Sequence, residues 1–224
     1  LKPSDNYNLD LKWDFNPTPT ELISLTAFYK LIKNPISRIE VASAGGYLSY
    51  ENIADKATVA GVEIEIRKNL FVRPLSSAAN GMNKLSFGLN GSYIYTNAKM
   101  PLATVTTGSQ LEGAAPWIAN FDLSHNFTKG THSFINTLVF NYVSDKIYTI
   151  GTQGYQDIME QGMMTLDFVS QAKLNKYVSL TLKARNLLNP SYQLSRKANE
   201  SGEKVVLSDY KKGINISLGV SCTF

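Results

Sequence analysis

Apolar and polar residues alternate along most of this chain. In the closing segment 214–224, every second residue is apolar, from Ile214 to Phe224. The opening segment 7–15 alternates in the same way and carries charge on its polar positions. Successive side chains of a β-strand point to opposite sides, so a two-residue period predicts strands with one apolar and one polar face.

Counted along the chain, the alternation predicts nine strands and almost no helical spacing. In two of these segments apolar residues occupy both faces near one end, and the tyrosines there are typical of an aromatic belt at a membrane interface. The two segments are 85–96 and 133–143. The predicted strands are 7–15, 22–31, 58–68, 85–96, 117–127, 133–143, 164–174, 178–186 and 214–224.

The connections between these strands alternate in length. An up-and-down sheet with this alternation has its long connections at one end, which is typical of an outer-membrane barrel and not of a soluble sandwich. The shorter connections are 16–21, 69–84 (of medium length), 128–132 and 175–177. The long connections are 32–57, 97–116, 144–163 and 187–213.

The same alternation assigns side chains to lipid or to the lumen of a barrel. The lipid-facing candidates are Leu9, Leu11, Ile64, Ile66, Leu123, Leu166, Phe168, Leu180, Leu182, Ile216 and Leu218. The lumen-facing candidates are Asp10, Lys12, Asp14, Glu63, Glu65, Arg67, Asp122, Asp167, Lys173, Lys183 and Arg185. Charges of both signs predict a lumen that is wet or packed against a polar partner.

A sheet in hydrocarbon must be closed, because every unpaired backbone group costs several kcal/mol there. Nine is an odd count, whereas single-chain bacterial barrels have even counts. We therefore expect residues 1–224 to be the carboxyl-terminal portion of a larger barrel, with the earlier strands in a preceding segment. The predicted class is an all-β, transmembrane, antiparallel up-and-down β-barrel.

Composition narrows the range of functions. The 22 Lys and Arg residues against 18 Asp and Glu are spread without a dense run, which does not favour nucleic-acid binding. A single cysteine, Cys222, forms no internal disulfide. The two histidines, His125 and His132, flank a predicted turn and are too few for a usual metal site. We expect no metal, no cofactor and no enzyme activity, since no nucleophile, histidine and acid occur in a suitable arrangement.

Several stretches, in this order, resemble the barrel of TonB-dependent outer-membrane receptors. They are LKPSDNYNLDLKWDF (1–15), LTAFYKLIKNPI (25–36), VAGVEIEIRKNL (59–70), LEGAAPWIANFDLSH (111–125), LKARNLLNPSY (182–192) and the final SLGVSCTF. Together they span nearly the whole chain. The resemblance implies a 22-stranded barrel of which these would be the last nine strands, preceded by a plug domain and a TonB-binding segment that this sequence does not contain.

The resemblance implies active uptake of a scarce or bulky nutrient across a bacterial outer membrane. The long loops would be extracellular and the carboxyl terminus periplasmic. The implied partners are outer-membrane lipid, the earlier barrel strands and plug, and TonB, with a surface lipoprotein as a further candidate. The alternatives are a passive porin, whose lumen is always open, and a soluble all-β binding module such as a lectin.

Two smaller sets of residues carry functional expectations. The long loops hold candidate ligand contacts, which could instead pack the loops together: Tyr47, Tyr50, Tyr148, Tyr155, Tyr192, Arg196 and Tyr210. The closing strand resembles the signal read by the outer-membrane assembly machinery, at Ser217, Gly219, Cys222 and Phe224. Cys222 departs from that signal, because an aromatic or bulky apolar residue is usual there.

Overall fold

The computed structural model of the chain is an all-β protein. It describes residues 1–41, 47–75, 81–99, 110–152, 154–198 and 201–223. None of the described residues belongs to a helix long and apolar enough to cross a bilayer. The strands are β1 (Asp5–Phe15), β2 (Leu22–Lys33), β3 (Ile36–Glu40), β4 (Leu48–Asn52), β5 (Lys56–Leu75), β6 (Gly81–Ala98), β7 (Trp117–Lys129), β8 (His132–Val143), β9 (Lys146–Thr149), β10 (Ile158–Glu160), β11 (Met163–Lys173), β12 (Val178–Arg185), β13 (Ser191–Lys197), β14 (Lys204–Lys211) and β15 (Asn215–Cys222).

The main sheet has nine strands in the order β1-β2-β5-β6-β7-β8-β11-β12-β15. Every neighbouring pair is antiparallel, so the predicted all-β, up-and-down arrangement is confirmed. Among the described strands, β1 pairs only with β2 and β15 pairs only with β12, so the sheet is open. The number of strands in a complete barrel stays a prediction.

Two strands of the main sheet run much further than predicted. β5 and β6 extend through most of the segment 69–84, which the sequence analysis took for a connection. The register shifts between Asn69 and Phe71, so that Leu70 has no partner and forms a β-bulge. One extra residue moves every following side chain to the other face, and this broke the alternation on which the prediction relied.

The connection between β7 and β8 is also shorter than predicted. Only Gly130 and Thr131 separate the two strands, and Gly130 has a φ of 59°, as the first central residue of a type II′ hairpin turn requires. His132 pairs with Lys129, and His125 pairs with Asn136. The two histidines therefore lie at different levels of the hairpin and do not face each other.

Within the described residues, three of the four long connections contain strands of their own, which the sequence analysis missed. β3 and β4 form a hairpin between β2 and β5, while β9, β10, β13 and β14 form a four-stranded sheet. These strands are as short as three residues, too short for alternation to be recognised. In β14 the apolar residues are consecutive at Val205, Val206 and Leu207, which also hides the period.

The buried apolar core lies among the long connections and at the adjoining ends of β5 and β6. We call these connections, which lie beyond one end of the main sheet, the outer connections, and this core the outer core. It contains Ile39, Ile53, Ala54, Ala57, Ala98, Leu111, Ile147 and Ile150. Large apolar side chains of the main sheet are instead exposed, including Leu11 at 74% and Leu218 at 70%. A soluble protein would bury such residues, whereas lipid solvates them.

Candidate functional site

One face of the main sheet carries an uninterrupted row of polar residues. A single row of paired positions crosses seven strands and has a polar side chain at each of them. Hydrogen bonds join parts of this row, for example from Asn141 Nδ2 to Thr165 Oγ1 at 3.1 Å. The row is Asp14, Ser24, Glu65, Asn90, Asn120, Asn141 and Thr165.

The charged residues proposed for the lumen share this face, which we call the polar face. Most of them lie on the same strand as a residue of the row, at an even number of residues from it. On β12, one charged residue pairs with a residue on the same face of β11, and the other lies two residues further along β12. Two neighbouring pairs interact, Lys12 Nζ with Asp14 Oδ2 at 3.2 Å and Arg67 Nε with Glu65 Oε1 at 2.8 Å. These residues are Asp10, Lys12, Asp14, Glu63, Glu65, Arg67, Asp122, Asp167, Lys173, Lys183 and Arg185.

A shallow recess of about 370 Å³ lies on the polar face near its short-connection end. Glu65, Arg67, Asn120 and Asp122 contribute to its lining. Gly88 also lines it, and a Cβ at that position would overlap the Asp122 carboxylate. The absence of a side chain at Gly88 therefore gives Asp122 the space to extend across the sheet.

The opposite face carries a row of apolar residues. One row of paired positions runs from β6 to β15 and has an apolar side chain on each strand. All the residues proposed to face lipid lie on this side. The row is Phe87, Leu123, Leu138, Phe168, Ala184 and Ile216.

The outer tyrosines proposed as ligand contacts fall into two groups. Tyr47 and Tyr50 border or belong to the β3–β4 hairpin and are 70% and 58% exposed. The others lie in the four-stranded outer sheet or beside it, where the structure brings several together: Tyr148, Tyr155, Tyr192 and Tyr210.

Tyr192 and Tyr210 are opposite each other in β13 and β14, with ring centroids 5.0 Å apart. Lys212 Nζ lies 5.7 Å from the Tyr192 ring centroid. Burial and the nearby Glu160 carboxylate raise the pKa of Tyr192 to about 12, because both disfavour a negatively charged phenolate. At neutral pH this hydroxyl is therefore a hydrogen-bond donor.

Arg38 joins three of the long connections. Its Nε and Nη2 atoms donate hydrogen bonds to the Tyr148 carbonyl oxygen, and its guanidinium lies 3.8 Å from the centroid of the Tyr148 ring. The same guanidinium pairs with Glu112, Nη2 to Oε1 at 3.1 Å. Arg38, Glu112 and Tyr148 belong to the connections after β2, β6 and β8.

Arg196, on β13, makes a second junction of the same kind. Its Nη2 lies 2.6 Å from Glu40 Oε2, and both side chains are only 15% exposed. The Arg196 guanidinium also lies 5.5 Å from the ring centroid of Tyr155. The sequence analysis proposed Arg196 as a ligand contact, but its charge is already paired within the protein.

Sequence analysis missed the partners of these two arginines. Nothing in the local sequence distinguishes Arg38, Glu40 or Glu112. Arg38 and Glu112 are 74 residues apart in the chain, and Glu40 and Arg196 are 156 residues apart, so neither contact leaves a local signal. A third outer ion pair joins Lys146 Nζ to Glu160 Oε1 at 3.2 Å. These residues fix the outer connections around the tyrosines.

The remaining expectations concern metal binding and the assembly signal. In the described part of the chain, no group of three or more His, Cys, Asp or Glu residues could hold a metal ion. Ser217, Gly219 and Cys222 lie on β15, with Ser217 opposite Lys183 and Cys222 opposite Val178. Phe224, the last residue of the proposed assembly signal, lies outside the described residues.

Comparison with known families gives one match. Residues 1–187 match the family described as TonB dependent receptor-like, beta-barrel. Neither the curated proteins nor the solved structures include a match to the chain.

Proposed function

Because the chain belongs to the β-barrel family of TonB-dependent receptors, proteins of outer-membrane transport, we propose that it imports a scarce or bulky nutrient through a plugged barrel. The family consists of transporters, in agreement with the expectation that this protein is not an enzyme. The energy for uptake would come from TonB acting on a segment upstream of the barrel.

The two-faced main sheet is the observation that carries this proposal. Apolar side chains such as Leu9, Leu11, Ile216 and Leu218 are at least 70% exposed. On the opposite side lies the row of polar residues that crosses seven strands. A wall of this kind suits a barrel with lipid outside and a polar lumen inside.

The open edges of the sheet support a larger barrel. In lipid, the unpaired backbone groups along β1 and β15 would each cost several kcal/mol. We infer that further strands, 22 in all by analogy with the family, join β1 to β15 and surround a plug domain. The charges of the polar face would contact that plug or water.

We assign the outer connections, which contain β3, β4, β9, β10, β13 and β14, to the cell exterior. The short connections and the end of β15 would then lie in the periplasm. The ligand would contact exposed tyrosines of the outer connections, foremost Tyr47, Tyr50 and Tyr210, and a surface lipoprotein could dock there. Ser217, Gly219, Cys222 and Phe224 would serve as the assembly signal.

Conductance of the full-length protein separates this function from that of a passive porin. In a planar bilayer with potassium chloride, a plugged receptor should pass almost no steady current, and deletion of its plug domain should produce large channels. A large current from the intact protein would contradict the proposal. A protein that partitions into aqueous buffer and not into detergent micelles would instead be a soluble binding module.

A further inference from the structure

The outer connections fold toward the polar face of the main sheet. Ile39 and Ile150 of the outer core pack in one cluster with Ala57 and Ala98, which end the adjacent strands β5 and β6. Ala57 is six residues from Glu63 on the same strand, so both point to the polar face. The outer core therefore covers the long-connection end of the polar face.

Backbone hydrogen bonds join the outer connections to one another. Ile39 forms a parallel bridge with Ile150, where Ile150 N donates to Arg38 O and Glu40 N donates to Ile150 O, both at 3.1 Å. Gly113 N donates to Ile147 O at 2.8 Å.

Ile39 lies in the connection after β2 and Ile150 in the connection after β8. These two strands are four positions apart in the sheet. At about 4.8 Å per strand, the two connections together span roughly 19 Å, across the ends of β5, β6 and β7.

Two partly buried ion pairs also join the outer connections to one another. Arg38 with Glu112 joins the connections after β2 and β6, and Arg196 with Glu40 joins those after β12 and β2. The side chains of both pairs are 15% to 21% exposed. The pair of Lys12 with Asp14 on the polar face of the main sheet is more open, with side chains 55% and 42% exposed. Removing one partner of a partly buried pair leaves the other charge uncompensated and poorly solvated, whereas an exposed pair contributes little.

We propose that the outer connections form a single folded cap over the lumen mouth, and that Arg38 and Arg196 are positioning residues that hold this cap closed. The cap consists of residues 36–41, 47–54, 110–116, 144–152, 154–162, 191–197 and 204–211. This inference rests on the proposed function, because it takes the polar face as the lumen. A ligand that enters the lumen on this side passes only when the cap shifts as one body.

Accessibility of a cysteine beneath the cap tests this inference in the full-length protein in intact cells. The exposed Cys222 is first replaced by Ser. Ser92→Cys then places a thiol on the polar face opposite Glu63, below the cap. The probe is a membrane-impermeant maleimide attached to polyethylene glycol, added from outside.

We expect slow labelling of Ser92→Cys and labelling about tenfold faster after Arg196→Ala, because local opening of the cap exposes the thiol. The charge swap Glu40→Arg with Arg196→Glu should restore slow labelling. Lys12→Ala should not change the rate, and Glu203→Cys, on the exposed tip of the β13–β14 hairpin, should label at one fast rate throughout. Should Arg196→Ala fail to assemble, Glu40→Gln removes the same ion pair.

Equal labelling of Ser92→Cys with and without the Arg196–Glu40 pair would overturn the inference, whether the common rate is fast or slow. So would a swap variant that labels as fast as Arg196→Ala. The measurement requires neither TonB nor an identified ligand. A protein that proves to be a passive porin would thus refute the proposed function while the labelling rates still decide on the cap.

Discussion

Leu182 on β12 lies directly opposite Leu218 on β15, while the next pair along the same strands is Lys183 opposite Ser217. Adjacent residues of one strand therefore stand in opposite environments, apolar on one side and charged on the other. The same change of face between neighbours recurs along the sheet, as in Ile64 opposite Gly91 beside Glu65 opposite Asn90. Substitutions at neighbouring positions can thus report which face contacts lipid.

Leu182→Arg should destabilise the barrel by about 2–4 kcal/mol if this position lies near the bilayer midplane, because hydrocarbon does not solvate a guanidinium. Thr181→Arg is the matched control. Thr181 precedes Leu182 on β12 and points to the polar face opposite Gly219, where a long side chain has room. The measurement is the free energy of unfolding in lipid vesicles, from urea titration of the full-length protein. A larger loss for Thr181→Arg would reverse the assignment of the two faces.

Gly61→Ala should destabilise the sheet by about 1–3 kcal/mol through overpacking. A Cβ at Gly61 would stand 2.5 Å from the Tyr93 carbonyl oxygen and would collide with the Phe28 ring, which covers this glycine. Gly91→Ala on the neighbouring strand is the control, since its nearest atom would be 3.6 Å away. The same urea titration compares the two variants. Equal stability of both would show that Phe28 and the backbone of β6 move aside without cost.

Alternation alone predicted the strands of the main sheet and the residues that share each face. This succeeded because lipid-exposed strands have one apolar and one polar side along their length. It failed at Leu70, where a bulge reverses the faces, and in the outer connections, where strands such as β10 are too short to show a period. The strand order of the outer sheet depends on pairing between connections, which the local sequence does not encode.

The candidate site could be predicted only in part. Tyrosines in long loops drew attention to Tyr148 and Tyr192, and the structure brings these two close enough to interact electrostatically. The surroundings of Tyr148 depend on Arg38 and on its partner Glu112, which are 74 residues apart in the chain. Such contacts arise only once the sheet fixes where each connection begins, so no spacing rule could find them.

Tyr192 should lose its proton only near pH 12, because burial and the Glu160 carboxylate disfavour the phenolate. Its ordinary pKa is about 10, so the folded state holds this proton more tightly than the unfolded state does. The resulting stabilisation is complete below about pH 10 and is lost as the pH rises toward 12. The measurement is tyrosinate absorbance of the full-length protein in detergent micelles, as a difference between wild type and Tyr192→Phe.

Glu160→Gln provides a second reading of the same group. It removes the neighbouring negative charge and should shift the Tyr192 transition to lower pH, while burial keeps the pKa above its ordinary value. A difference spectrum in which Tyr192 already ionises near pH 10 in the wild type would contradict this picture of the outer sheet.

Arg38→Lys should loosen the outer connections although it preserves the positive charge. An ammonium group cannot lie flat on the Tyr148 ring and at the same time reproduce the bonds that the planar guanidinium makes to the Tyr148 carbonyl and to Glu112. The backbone nearby depends on this fit, since Ile150 N donates to Arg38 O. Hydrogen exchange of the Ile150 amide should therefore become about tenfold faster. Arg73→Lys is the control, because the Arg73 guanidinium lies 5.7 Å from the Phe71 ring centroid at the far end of β5 and should leave the Ile150 amide unaffected. If Arg38→Lys left the exchange of Ile150 unchanged, the charge alone would explain the junction, and the planar geometry of Arg38 would have no part in it.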